Sequence, residues 1–448
     1  MKIAVVGSGV AGLGAAWALS ADHEVVVYEA ETRLGGHSNT VEVTAVDGRT
    51  VPVDTGFIVY NERTYPNLIR LFEHLGVATE ASNMSFAVSV DRGQFEYAGS
   101  AAGLFAQRRN LLRPRLWRLL RDLLRFYRTA PAFLETTGDL PIGEYLQREG
   151  YSQAFMDDHL LPMAAAVWSC STHEVRAFPT KSFLRFNLNH GLMQLTNRPQ
   201  WRTVSGGSRE YVKRLSAPIA AQARLGTPVA AIQRTAAGVT VTDRQGHNDL
   251  FDQVVLACHG DQARALLGTD ASKAEAAVLS AFRYQPNRTL LHRDPGLMPR
   301  RRSVWSSWNY LSGKTADDRR AVSVTYWMNR LQNLDPAVPL FVSLNPIDEP
   351  RTDLIEAEFN YDHPVFDSDA VAAQAALPEI QGVAQTWFCG SYCGYGFHED
   401  ALQAGFAVAA ALGSPVPWAS DVVPASPSAN IVPPNLRPYV VEPAIAAE

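Results

Sequence analysis

Residues 2 to 40 leave this chain few folds to choose from. Lys2 to Val6 is a short apolar run, Gly7, Gly9 and Gly12 follow as a G-x-G-x-x-G turn, and Val10 to Leu19 carries apolar residues at helical spacing. Strand, glycine turn and helix in that order predict a dinucleotide cradle. Gly7 permits the tight turn, Gly9 lets a pyrophosphate approach the backbone, and Gly12 lets the helix lie close to the strand. The helix N-terminus offers free N–H groups and the positive end of its dipole to the phosphates. A second apolar run, Glu24 to Tyr28, ends at Glu29, seventeen residues past Gly12 and near the spacing of a carboxylate that accepts from ribose hydroxyls. A glycine turn that binds nothing would need neither the helix nor the acid.

These parts leave open which dinucleotide is bound. Beyond the acid the chain continues Glu29-Ala30-Glu31-Thr32-Arg33-Leu34-Gly35-Gly36-His37. This resembles the motif extension in flavoproteins of the amine oxidase and phytoene desaturase superfamily, where paired glycines bring a loop against the cofactor's phosphates. Asp54-Thr55-Gly56 resembles the superfamily's short D-x-G element beside the flavin ring. Near the C-terminus, TWFCGSYCGYGFHEDALQAGFAVAAAL (Thr386 to Leu412) resembles its G-D-x-x-x-x-G-x-x-E-G-A-x-x-S-G signature, with Gly390, Gly396, Glu399, Ala401 and Gly405 matching. The resemblance implies FAD as the cofactor. It implies a cofactor-binding set of Gly7, Gly9, Val10, Ala11, Gly12, Glu29, Ala30, Arg33, Gly35, Gly36, His37, Gly56, Val229, Gly390, Ser391, Gly396, Phe397 and His398. Val229 falls where a backbone meets the adenine in that superfamily. Ser391 stands where an acid often holds the ribityl chain.

At 448 residues the chain is too long for one ordinary core. With the resemblance, this predicts an α/β fold: a discontinuous Rossmann-like FAD-binding domain and a substrate domain that combines a mixed sheet with helices. The expected segments are 1–84, 200–270 and 381–413 for the FAD domain and 85–199 and 271–380 for the substrate domain. From Ser414 onward, eight prolines in 35 residues read as a tail or surface strap. A net charge of −5 gives no reason to expect nucleic acid. Cys170, Cys258, Cys389 and Cys393 form no C-x-x-C pair, so neither a disulfide framework nor a metal site is expected. The first strand begins at residue 2 and no run approaches the ~20 apolar residues of a membrane span. The expected location is the cytoplasm, with peripheral contact at the inner face of the membrane.

That contact is expected from Leu104 to Arg128. Eight arginines face one acid, Asp122, and are interleaved with nine large apolar residues; from Arg115 they recur every three or four positions. A basic apolar helix of this kind suits an anionic lipid interface, and equally a domain helix with a solvated arginine face. Further along, Trp305, Trp308, Tyr310 and Tyr326, with Phe397, are candidates to line an apolar substrate pocket. As strand aromatics they also suit a core.

The reaction is expected to be hydride removal from an apolar substrate, a fatty-acyl or isoprenoid lipid, by a dehydrogenase or desaturase. In typical amine oxidases of the superfamily a lysine holds a water near the flavin and an aromatic pair frames the amine. Here only Lys314 falls in the corresponding stretch, in a run Ser312 to Asp318 that reads as an exposed loop, and Phe397 replaces a tyrosine. His398 and Tyr395 are the general-base candidates. Amine oxidation, redox-neutral isomerisation and a non-catalytic FAD-binding partner of a lipid-modifying enzyme remain the alternatives.

Overall fold

The computed structural model describes residues 1–314, 320–422 and 427–433. Its organising layer is a parallel sheet with the strand order Ala223–Arg224, Glu24–Tyr28, Lys2–Val6, Gln253–Leu256, Thr386–Phe388. KIAVV, EVVVY and QVVL have almost no polar face, as strands covered on both sides require, and Ile3, Val5, Val27, Val255 and Phe388 are fully buried. The sheet draws strands from the stretches 1–84, 200–270 and 381–413. The helix Val10–Leu19 packs on the C-terminal helix His398–Ala411 through small residues. A Cβ at Gly405 would lie 2.3 Å from the Ala11 carbonyl oxygen, so the contact needs glycine there.

The second large sheet has seven strands in the order Ile355–Pro364, Tyr284–His292, Phe341–Leu344, Arg320–Trp327, Trp308–Lys314, Phe86–Val90, Phe95–Ala98. It is antiparallel except where Trp308–Lys314 runs parallel to Phe86–Val90, so it is a mixed sheet. A helical layer drawn from residues 114–189 packs on one face, forming a core separate from that of the parallel sheet. Three short strands, Tyr60–Asn61, Trp201–Val204 and Thr79–Ser82, form a small sheet of their own.

Several segments differ from their sequence patterns for identifiable reasons. Ser85 to Tyr97 alternates like one strand but forms a hairpin, because Asp91, Arg92 and Gly93 all turn to positive φ. Ala223 to Arg234 is divided between two sheets at Gly226 (φ +59°) and Pro228, and a strand Asn248–Phe251 follows the turn at Gly246. Ser312 and Gly313 belong to a strand instead of a loop, while residues 315–319 lie outside the described residues. The arginine-rich run is broken at Arg113, whose extended backbone precedes Pro114 at the first position of the helix Pro114–Thr129.

Pro162 sits inside a helical stretch that should not tolerate it. A π turn at Met156–Leu160 precedes it, and the Asp158 carbonyl that Pro162 cannot serve accepts from the Tyr97 hydroxyl at 2.7 Å. Among the described residues of the tail, Trp418, Ile431 and Val432 are buried against the FAD-domain core.

Candidate active site

Because the strands of the first sheet are parallel, the residues that follow them, Gly7, Glu29, Cys258 and Gly390, emerge along one edge. That edge is where ligands bind in doubly wound folds. Gly7 turns at φ +101°, and a Cβ at Gly12 would lie 1.9 Å from the Gly7 carbonyl oxygen, so strand and helix meet only through glycine. A Cβ at Gly9 meets nothing within 4 Å, which leaves its backbone open to a ligand. Val10 and Ala11 begin the buried helix that opens there.

The doublet lies against this turn. Gly35 N–H donates to the Ser8 carbonyl at 3.0 Å, and Gly36 sits against the Gly9 Cα. The Glu29 carboxylate accepts from Ser8 N–H (2.9 Å) and Glu31 N–H (2.8 Å), and is buried with acceptor capacity to spare. Ala30 is exposed beside it, and Thr227 N–H donates to the Glu29 carbonyl, which brings Val229 to the same end.

Two buried donors here have no partner among the described residues, Arg33 Nη1 and His37 Nε2. Burial holds the His37 imidazole well below its ordinary pKa, with His363, His259 and His398 acting in the same direction. Orphaned buried nitrogens beside an open glycine and a helix N-terminus are what a diphosphate and its attached rings would satisfy, so the residues present fit FAD.

The residues expected at the flavin end come from more distant segments. Gly56 lies against the His37 carbonyl, to which Phe57 N–H donates at 2.8 Å. Phe57 stacks on the His398 ring at 3.8 Å, and His398 Nε2 is bonded to the Tyr211 hydroxyl (2.7 Å) and Ser38 Oγ (3.1 Å). Burial lowers the His398 pKa to about 3, so the ring is neutral. Gly390 and Ser391 follow the last parallel strand, and Gly396 (φ +95°) packs on Phe366 just before Phe397 caps the C-terminal helix.

Asp54 fastens these segments together. Its buried carboxylate accepts from Thr40 Oγ1 (2.6 Å), Ser208 N–H (2.9 Å), Ser208 Oγ (2.7 Å) and Gln332 Nε2 (2.8 Å). Burial outweighs these donors and lifts its pKa to about 6. Neither Asp54 nor Tyr211 nor Phe57 is distinguished by sequence spacing; Asp54 was visible only as part of D-x-G.

The predicted pocket aromatics do not all meet. Trp308, Tyr310 and Tyr326 lie on the sheet face that shares a core with Phe397 and the helical layer, with Trp308 and Tyr326 edge to face at 5.0 Å. Trp305 packs instead with Trp327 (5.5 Å) and Phe341 (5.9 Å), and its indole N–H donates to the Pro299 carbonyl. Trp327 and Tyr326 are neighbours on one strand, so they point to opposite faces.

Phe397 stacks on Phe186 at 4.8 Å and borders a small cavity with Tyr65, His190 and Tyr395. Burial raises the Tyr395 hydroxyl to about 12, which makes it a donor at neutral pH. Glu399 and Asp400 also border this cavity. Glu399 accepts from Asn67 N–H, Asn67 Nδ2 and Leu68 N–H, and Asp400 accepts from Phe397 N–H. Tyr395 also lines a larger neighbouring cleft of about 300 Å³, with Trp168, Phe178, Phe183 and Phe366 among its walls and Lys181 and Arg185 as its charged lining groups. Helix positions of this layer gave a core pattern in the sequence and no sign of a cleft.

The profile of the family described as flavin containing amine oxidoreductase matches residues 10–289. AofH of Mycobacterium tuberculosis, provisionally named a flavin-containing monoamine oxidase, is 24% identical over 361 residues, covering 77% of this chain and 70% of the relative. Cyclohexylamine oxidase from Brevibacterium oxydans superposes with a TM-score of 0.67 at 16% identity, covering 92% of this chain and 98% of the other. A fatty acid isomerase from P. acnes that produces CLA superposes with a TM-score of 0.62 at 15% identity, covering 90% and 96%. At these identities the structural likenesses establish the fold.

Proposed function

For a chain that belongs to the flavin-containing amine oxidoreductase family and carries FAD as an oxidoreductase, we propose that the substrate is a long apolar molecule of the fatty-acyl or isoprenoid class. FAD, when bound, accepts the hydride; the protein's task is to hold the donor carbon in place and exclude water. One observation carries the reading. The cleft beside Tyr395 has aromatic walls, and its two charged lining groups among the described residues, Lys181 and Arg185, are cationic. A cationic amine would meet like charge there.

The acids nearest Phe397 are engaged elsewhere. Glu399 is committed to the N-terminus of the helix Pro66–Leu75, and Asp400 to the N-terminus of its own helix. His398, neutral and bonded at Nε2, is assigned to positioning at the cofactor, and Tyr395 to the wall shared by the two cavities. Neither is asked to remove a proton at neutral pH.

Amine oxidation is the second reading, and the name of the mycobacterial relative favours it. The fold itself does not choose, since proteins named for amines and for a fatty acid share it. Anaerobic mixing of the FAD-loaded protein with cyclohexylamine, with an unsaturated long-chain fatty acid and with an isoprenoid alcohol decides. The expected result is loss of visible flavin absorbance with an apolar chain and not with the amine; bleaching by the amine alone would reverse the assignment. Double-bond migration in the fatty acid without net flavin reduction would instead identify an isomerase.

A further inference from the structure

The helix Pro114–Thr129 presents a face that the rest of the described residues leave uncovered. Leu116, Leu119 and Phe126 point into the helical core, whereas Trp117 and Leu124 are each about half exposed. Positions 117, 121, 124 and 128 follow 4-3-4 spacing, so Trp117, Arg121, Leu124 and Arg128 form one stripe, with Arg118 beside it. Just before the helix, Leu112 is 89% exposed. Of eleven large apolar side chains exposed among the described residues, five fall within residues 105–124. Such clustering marks an interaction surface, unlike single apolar residues scattered over a protein.

The arginines of this segment divide by partner. Arg115 pairs with the buried Asp158, Arg125 covers the Tyr151 ring at 3.9 Å, and Arg109 and Arg113 donate to the Gln94 carbonyl. Among the described residues Arg121 reaches only Asp122, its neighbour in sequence, and its own side chain is 69% exposed. Arg118 and Arg128 have no hydrogen bond or ion pair among the described residues. Residues 104–128 carry eight arginines and one aspartate, a charge of +7 in a chain whose net charge is −5. The surface is thus a local cationic field with large apolar side chains set into it.

We propose that the stripe of Trp117, Arg121, Leu124 and Arg128, with Leu112 ahead of it, docks on an anionic lipid bilayer. The mixture of groups selects that occupant. A protein partner would have to supply a matching line of acids for the arginines, whereas an anionic bilayer offers phosphates at every position along the stripe. A second copy meeting this face about a two-fold axis would set arginine against arginine. At a bilayer surface both groups are satisfied at once: the apolar side chains enter the acyl boundary and the guanidinium groups remain among the phosphates. No helix among the described residues is long and apolar enough to cross a membrane, so this helix lies on the surface. The inference does not depend on what the crevice oxidises.

The test is sedimentation of the FAD-loaded protein with vesicles of phosphatidylcholine alone and with about one-third phosphatidylglycerol. Binding to the anionic vesicles is expected, weakened by salt and absent with phosphatidylcholine alone. R118Q with R128Q removes two charges that have no partner among the described residues, and should lower the partition roughly thirtyfold, about fivefold per arginine. L112S with L124S should also lower it, with the circular dichroism spectrum and flavin content unchanged. Failure to bind anionic vesicles, or binding that both double variants leave intact, would overturn the proposal. So would a concentration-dependent dimer that forms without lipid and is lost in L112S/L124S, which would assign the face to a second copy.

Discussion

The glycine turn at residues 7–12 and the arginine helix at 114–129 are both repeats of one residue type at regular spacing, and they differ in what the repeat means. In the turn, each glycine has its own job, set by the backbone within a few residues of it. Gly12 touches the Gly7 carbonyl, while Gly9 faces open space. In the helix, five arginines are equivalent by spacing and become different only through their partners: Asp158 for Arg115, Tyr151 for Arg125, and for Arg118 none among the described residues. A backbone repeat carries its function locally, and a side-chain repeat acquires it from the fold.

The sharpest break of that comparison lies within the turn. Gly12→Ala forces a Cβ to 1.9 Å from a carbonyl oxygen, so loss of both soluble folded protein and FAD is expected. Gly9→Ala meets no protein atom within 4 Å; it should fold with an unchanged circular dichroism spectrum and yet purify without flavin absorbance. If the Gly9 variant purified yellow, the cradle would not be where the pyrophosphate lies.

Next in size is a pH effect at the C-terminal helix that packs on the cradle helix. Burial raises the Glu399 pKa to about 7 from an ordinary 4.5, against three N–H donors. A raised folded-state pKa contributes stability that is full below about 4.5 and is lost as pH rises through about 7. The loss amounts to about 3 kcal/mol. Glu399→Gln lacks this group, so the difference between wild-type and variant denaturation midpoints should close in on the variant's favour between those pH values. A difference that stays constant with pH would place Glu399 outside the titration.

The smallest contrast is between two arginines of one helix. Arg115→Gln takes from the buried Asp158 carboxylate the guanidinium that pairs with it; because that guanidinium is 41% exposed, the expected destabilisation is about 2–3 kcal/mol, below the range for a fully buried pair. Arg118→Gln should stay within about 0.5 kcal/mol by urea denaturation. Equal effects would mean that the two arginines do not differ as their partners indicate.

How much was legible follows the same division. The cradle was readable because glycines and apolar runs report backbone geometry, and the C-terminal stretch around Gly390 and Gly396 was readable through its resemblance to a family signature. The hairpin at Asp91–Gly93 was less so, since Asp91 and Arg92 adopt positive φ although neither is glycine, and Gly93 alone marks the turn. The candidate pocket was the least readable. Strand parity sends Tyr326 and Trp327 to opposite faces, and which face meets the helical layer is not written in either residue. The cleft walls Trp168, Phe178 and Phe183 come from helices whose apolar spacing is that of any core.

By itself, then, the sequence determined a dinucleotide cradle and the presence of a strongly cationic apolar segment, because each is carried by spacing along the chain; FAD as the dinucleotide and the division of its domain into three segments came from the family resemblance. Only the tertiary structure decided that Asp54 clasps residues 40, 208 and 332 together, that His398 is a buried neutral ring held by Tyr211 and Ser38, and that Arg118 and Arg128 are left facing outward. These are outcomes of contact between residues far apart in sequence, where burial and the supply of partners set what each group can do.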